Sequence, residues 1–326
     1  MRIVFHGLIA SAFSVGLNDL LTAPAEIAVF GDDLVDDAQR RAYAAADVLV
    51  SFRFDSTTPR PNGLKLLHLP GAGYDAVDFA ALPPAAVVCN CFGHEQAIAE
   101  YVFATLLLRQ VPLVESDRQL RQGDWTHRAG PASSVHTELA GKTIGLLGYG
   151  HIGRAVAVRA KAFEMQVHVA NRSAVAPSGI VDRAFGLDEL PAFWGSADFF
   201  VVSLPLTAET TAIVNADSFA AMRRTAVVVN VGRGAVIEES AFYEALSSGR
   251  IGGAVIDTWY QYPTTTVPRV HPSTYPFHEL PNVLLTPHMS GWTDGTIRRR
   301  QRVIADNIGR RMRGEPCINV VGGAQG

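Results

Sequence analysis

Residues 141–154, GKTIGLLGYGHIGR, constrain this chain more than any other stretch. TIGLLG is apolar and suited to a buried strand, and RAVAVRAKAF, which follows, has helical character. Three glycines lie between them. Gly148 permits a tight turn, Gly150 lets backbone approach a pyrophosphate, and Gly153 lets the helix lie close against the strand. The helix N-terminus adds free N–H groups and the positive end of a dipole. Glycine triplets are weak signals in a chain with 29 glycines, but the flanking strand and helix make this one a dinucleotide-binding turn. Its candidate cofactor contacts are Gly148, Tyr149, Gly150, His151, Ile152 and Gly153.

The rest of the chain supplies strands to match. Before residue 90 come RIVFHG, AEIAVFG, ADVLVSF, LKLLHLPG and AVVCN, spaced by polar and turn-forming residues, as expected of a small parallel sheet wrapped by helices. HEQAIAEYVFATLLLRQ, residues 94–110, then reads as one strong helix able to join two domains. Residues 111–140 are polar and read as a connecting arm. After the glycine turn come QVHVANR, a short VDRAF, DFFVVSLP, TAVVVNVG, GGAVIDTW and VLLTPH, near-continuous apolar strands of the kind a doubly wound sheet buries on both faces. A long loop over 259–282 and a last helix from about Thr293 complete the chain.

With 326 residues, 48% hydrophobic content and 18% charged, two globular domains fit. The formal charge of −3, with no dominant single-sign block, gives neither a nucleic-acid footprint nor a polybasic membrane patch. The arginines at 298, 299, 300, 302, 310, 311 and 313 read as the solvated face of the last helix. Cys89, Cys91 and Cys317 are too sparse for a disulfide framework or zinc site and suit a reducing compartment. His6 and Gly7 interrupt the apolar N-terminus, which reads as a first core strand rather than a signal peptide. A cytoplasmic location is therefore expected, with no membrane or nucleic-acid partner.

Ligands of open α/β sheets bind at the carboxyl ends of the strands. Arg233 follows VVVNVG there and can clamp a carboxylate; His288 follows VLLTP and can exchange a proton near neutral pH. Asp257, after GGAVI, reads equally as a cofactor contact or a turn cap. Where many NAD enzymes carry an acid for the ribose 2′-hydroxyl, this chain has Asn171, Arg172 and Ser173, a set suited to a 2′-phosphate. NADP is thus preferred over NAD.

These linked motifs resemble the D-isomer-specific 2-hydroxyacid dehydrogenases over nearly the whole chain. LHLPGAGYDAVD is similar to the family's substrate-carboxylate loop, GLLGYGHIG to its cofactor turn, and ADFFVVSLPLTAET, with Leu204 and Pro205, to its adjacent cofactor strand and loop. VVVNVGRGAVIEESAFYEAL carries the catalytic-arginine motif, and LPNVLLTPHMSGWT the catalytic-histidine motif. The resemblance implies a Rossmann cofactor domain at 94–291 inserted into a smaller flavodoxin-like substrate domain made of 1–93 and 292–326, with a cleft between them and a homodimer. It also implies the chemistry: Arg233 on the carboxylate and carbonyl oxygen, Ala72 and Gly73 N–H groups on the other carboxylate oxygen, and His288 protonating the carbonyl oxygen as hydride reaches the carbon. His94 and Ser290 fall in segments the family places near the substrate.

One position departs from the pattern. Most of the family has a glutamate five residues beyond the aspartate matched by Asp257, holding and charging the histidine; here that residue is Tyr262. The imidazolium of His288 loses its partner and its pKa should fall. Three readings follow: Tyr262 or Gln261 bonds the imidazole, much as formate dehydrogenases place a glutamine there; Glu95 supplies a carboxylate; or proton transfer is inefficient. The expected function is an NADP-preferring reductase of small 2-oxo acids such as glyoxylate or hydroxypyruvate, the alternatives being a dehydrogenase of a small anion such as formate and a non-catalytic NAD(P)-sensing protein.

Overall fold

A computed structural model describes residues 1–324. In chain order the strands are β1 (Arg2–His6), β2 (Glu26–Phe30), β3 (Val48–Val50), β4 (Leu66–His68), β5 (Val87–Cys89), β6 (Thr143–Leu147), β7 (Gln166–Ala170), β8 (Arg183–Phe185), β9 (Phe199–Val202), β10 (Val227–Asn230), β11 (Gly253–Ile256), β12 (Val283–Leu285) and β13 (Val320–Gly323). Every apolar run singled out above is a strand. Two compact units result: residues 1–94 with the segment from 292 onward, and residues 95–291.

The first unit holds a sheet ordered β13-β5-β4-β3-β1-β2, parallel except at one edge, where β13 runs antiparallel to β5. Its 2-1-3-4-5 parallel part is the flavodoxin-like order. The antiparallel edge strand departs from the purely parallel expectation; VVGG is short and glycine-rich, so its sequence carries little strand signal. One face of the sheet packs against helix Asp294–Arg313 through Ile304 and Ile308, both fully buried. Thr293 caps that helix, accepting from Thr296 N–H, and Gly314 closes it in the left-handed conformation.

Arg298, Arg302 and Arg313 face solvent, but Arg299, Arg310 and Arg311 are half-buried and Arg300 is buried, which corrects the reading of one uniformly solvated face. A polar knot lies beneath the same helix. His68 is fully buried, with Nδ1 3.1 Å from the Leu69 carbonyl and Nε2 3.1 Å from the Asn307 amide nitrogen. The carbonyl can only accept, so Nδ1 holds the proton and Nε2 accepts from Asn307. Asn307 also bonds both backbone groups of Ile318, pinning the approach to β13.

The second unit holds a seven-stranded, all-parallel sheet ordered β12-β11-β10-β9-β6-β7-β8. β6, β9, β10 and β11 are buried along their whole length, which is why their sequences lack alternation. The order reverses between β6 and β9, so their carboxyl ends form the switch point at which such sheets bind ligands. Helix Glu95–Gln110 packs its Val102 and Leu106 into one core layer of this sheet. Residues 113–120 form a second helix inside what reads as an irregular arm. No single helix among the described residues is long and apolar enough to cross a membrane.

Candidate active site

The glycine turn leaves β6 and enters helix His151–Ala162. Gly148 has φ +98°, a conformation side-chain-bearing residues avoid, and its N–H bonds the Ala170 carbonyl at 2.9 Å. A Cβ on Gly153 would collide with the Gly148 carbonyl oxygen, so only glycine lets the helix approach this strand. At Gly150 the opposite holds: a Cβ there would meet nothing within 4 Å. That position is the N-cap of the helix and makes no side-chain cap bond. Room at Gly150, at the N-terminus of a helix, fits a pyrophosphate.

Tyr149 N–H donates to Asn171 Oδ1 at 3.2 Å, and the Arg154 guanidinium lies 5.4 Å from the Tyr149 ring centroid. Ile152 packs partly into the core, while His151 is exposed at the helix start. Asn171 Nδ2 donates to the Ser173 carbonyl at 3.0 Å, folding the end of β7 into a short turn that leaves Arg172 exposed. Leu204, after β9, reaches toward Gly148 across the switch point, with exposed Pro205 following it.

Three neighbouring strands, β10, β11 and β12, deliver Arg233, Asp257 and His288. Asn230, almost fully buried at the end of β10, accepts from Gly232 N–H (3.1 Å) and donates to the Arg233 carbonyl (3.2 Å). It fixes the turn that presents Arg233.

His288 has φ +57°, strained for a histidine. Asp257 over-determines that strain. Fully buried, it accepts from Thr286 Oγ1 (2.6 Å) and Met289 N–H (2.9 Å) on Oδ1, and from Ser290 N–H (3.0 Å) on Oδ2. The backbone after His288 is therefore wrapped round a carboxylate, and Asp257 braces this turn with both oxygens engaged. Tyr101, from helix Glu95–Gln110, extends the chain through a 2.6 Å bond to Thr286 Oγ1. The Thr286 hydroxyl gives its proton to Asp257, so Tyr101 must donate; burial pushes its phenol up to about 12, which keeps it a neutral donor.

Tyr262 Oη lies 2.9 Å from His288 Nδ1 and accepts from Trp259 N–H at 3.0 Å. Of the three readings above, the tyrosine is the group that meets the imidazole, on Nδ1. Gln261 gives its backbone N–H to the Pro272 carbonyl, closing the base of the loop, and Glu95 opens its helix as a half-buried residue. His288 keeps an exposed face, yet the protein around its ring is the largest influence and lowers its pKa; Asp257 raises it and Arg233 lowers it further. Neutral imidazole is the favoured form.

In the first unit, Gly71 and Ala72 carbonyls are tied to the end of β5, by Cys91 N–H at 3.1 Å and Asn90 Nδ2 at 2.8 Å. The 71–73 loop is held by its acceptors. His94 is buried in this unit, and Ser290 in the other. Asn90, Asn230, Thr286 and Tyr101 are bracing residues that sequence reasoning missed; the two asparagines at the ends of valine-rich strands were the available signal.

Residues 103–290 match the family model described as "D-isomer specific 2-hydroxyacid dehydrogenase, NAD binding domain". The chain is 31% identical to a glyoxylate reductase of Korarchaeum cryptofilum over 79% of this chain and 76% of that one. It is 30% identical to a D-3-phosphoglycerate dehydrogenase of Methanocaldococcus jannaschii over 79% of this chain, spanning about half that relative's length (47%). An NADPH-dependent glyoxylate/hydroxypyruvate reductase of Sinorhizobium meliloti, solved with NADP and malonate, superposes with a TM-score of 0.77 at 26% identity, covering 98% of this chain and 96% of that one. The chain belongs to the D-isomer-specific 2-hydroxyacid dehydrogenase family of NAD(P)-dependent oxidoreductases.

Proposed function

We propose that this protein is an NADP-preferring reductase of small 2-oxo acids, with glyoxylate or hydroxypyruvate as substrate. The observation that carries this reading is the strained His288 turn, braced by Asp257 and set two strands from the Asn230-braced Arg233. The names of the relatives agree: a glyoxylate reductase and a glyoxylate/hydroxypyruvate reductase that binds NADP.

The nicotinamide, when bound, supplies hydride; its pyrophosphate is assigned to the 148–153 turn, with Leu204 and Pro205 alongside. Arg172, with Asn171 and Ser173, is assigned to a 2′-phosphate, and none of the three is acidic. Arg233 holds the substrate carboxylate and polarises its carbonyl. His288, oriented by Tyr262, gives a proton to the carbonyl oxygen from Nε2, with Ser290 beside the reacting groups.

A homodimer is proposed on separate grounds. Leu113, Val114, Leu120, Trp125 and Val135 are exposed apolar residues within one sequence stretch of the second unit, a composition that suits a partner surface. Sedimentation at micromolar concentration tests it. A cytoplasmic location is proposed from the three free thiols.

The test of function is a panel of glyoxylate, hydroxypyruvate and formate with NADPH, NADP, NADH and NAD. Turnover of the 2-oxo acids with NADPH is expected. Reduction of NADP by formate alone would replace this reading, and tight NADPH binding without any turnover would favour a sensing role.

A further inference from the structure

Trp259, two residues beyond Asp257, is buried in the loop that leaves β11, and three of its groups reach three parts of the site. Its backbone N–H donates to Tyr262 Oη at 3.0 Å, and that oxygen lies 2.9 Å from His288 Nδ1. Its indole Nε1–H donates to the Thr286 carbonyl at 2.8 Å, two residues before His288. Its own carbonyl lies against the turn of Arg233. A Cβ on Gly234 would come within 2.3 Å of the Trp259 oxygen, so a larger residue would drive the two backbones apart.

The backbone contacts could come from any residue at this position, whereas the indole bond needs a long, rigid side chain that carries a donor. That donor meets a residue already engaged on its other side. The Thr286 hydroxyl donates to Asp257 at 2.6 Å, so Thr286 is gripped by its side chain from Asp257 and by its backbone from Trp259. The left-handed backbone of His288 follows directly and persists only where its surroundings over-determine it. The indole is fixed in turn by its seat in the core, edge-on to Phe277 with centroids 6.2 Å apart and beside Val236 and Ile237, which follow Arg233 on the chain. One side chain therefore links the segment that presents Arg233 to the segment that presents His288.

We infer that Trp259 is a positioning residue, whose indole N–H sets the placement of His288 relative to Arg233. Transfer of a hydride and a proton to the two ends of one carbonyl needs both groups in register, and a misplacement of about 1 Å can cost about a hundredfold in rate. The inference rests on the proposed reduction of 2-oxo acids for its consequence in rate, but the link from the indole to His288 is a property of the fold.

The experiment replaces Trp259 in the full chain with 3-benzothienylalanine, which keeps the bicyclic shape and has sulfur in place of the N–H. Single-turnover oxidation of NADPH over a range of glyoxylate concentrations separates the limiting rate from substrate affinity, fluorescence titration gives NADPH affinity, and the ¹H–¹³C NMR signal of His288 Cε1, identified by its loss in His288→Gln, reports the ring without turnover. The limiting rate should fall about fivefold, the scale of one neutral hydrogen bond acting on the barrier. The glyoxylate dependence and NADPH affinity should not change, and the His288 signal should shift by more than its width. A limiting rate equal to that of wild type, or an unmoved His288 signal, overturns the inference and leaves the 2-oxo-acid reading intact. Equal losses of rate and of both affinities also overturn it, since they mark a general structural role. If the unsubstituted protein oxidises NADPH with neither glyoxylate nor hydroxypyruvate, the 2-oxo-acid reading falls, and the His288 signal alone decides the inference: a shift upholds the link and an unmoved signal overturns it.

Discussion

Replacing Tyr262 with glutamate restores a negative charge beside His288, and the size of its effect follows from the geometry. The phenol oxygen lies 2.9 Å from Nδ1. Glutamate is shorter, so its charge is taken at about 4 Å from the ring, where two unit charges attract by ~1 kcal/mol in water and ~4 kcal/mol at an effective dielectric of about 20. At about 1.36 kcal/mol per pH unit, these bracket a rise of ~0.7 to ~3 units. The exposed face of His288 places the result near the lower end, about one unit. In the wild type the His288 pKa lies below the usual histidine value, so the imidazolium needed for 2-oxo-acid reduction is lost as pH rises through that depressed pKa. Tyr262→Glu should move the descending limb of kcat/KM against pH upward by about one unit and raise the rate at pH 7.5 severalfold. Tyr262→Phe removes the bond without adding charge and should lower the rate while leaving the limb where it is, or lower. The assay is NADPH oxidation with glyoxylate from pH 5 to 9. A limb that neither substitution moves would show that Tyr262 does not tune His288.

Other predictions follow from the fold. Burial holds His68 at about 4, below its unfolded value, so the native state resists protonation. Its contribution is fully present above pH 6.5 and is lost as pH falls toward 4, about 3 kcal/mol in all; urea unfolding at pH 7.5 and 4.5 should show a steeper loss in wild type than in His68→Gln. Gly150→Ala should leave the thermal midpoint almost unchanged and weaken NADPH binding at least tenfold by fluorescence titration. Gly153→Ala, which drives a methyl into the Gly148 carbonyl, should destabilise the unit by about 1–3 kcal/mol. Arg172→Ala should cost NADPH about 1.5–3 kcal/mol of affinity, leave NADH little affected, and so reverse the preference.

The strands of both sheets were legible because burial on two faces leaves near-continuous apolar runs, and the glycine turn because backbone geometry admits few alternatives at Gly148 and Gly153. Tyr262 was legible only as a departure whose consequence stayed open, since a loop residue's contact depends on how the 259–282 excursion closes. The Pro272 carbonyl bonds that close it have no sequence signature. The bracing groups were hidden for a related reason. Thr286, Tyr101, Asn90 and Asn230 act through hydrogen bonds whose partners are chosen by the packing of the sheet, as the 185-residue separation of Tyr101 from Thr286 illustrates. The helix Leu113–Leu120 leaves little trace in the sequence because it buries no residue, so no apolar face marks it.

Arg233 and His288 are proposed to form a reducing site for small 2-oxo acids, and Arg233→Ala removes half of it. Steady-state kinetics with glyoxylate and NADPH, paired with NADPH binding to the same protein, separate chemistry from cofactor capture. A fall in kcat/KM of a thousandfold or more with unchanged NADPH affinity is predicted, because one substitution removes both the carboxylate clamp and the group polarising the carbonyl. Turnover close to wild type would contradict it.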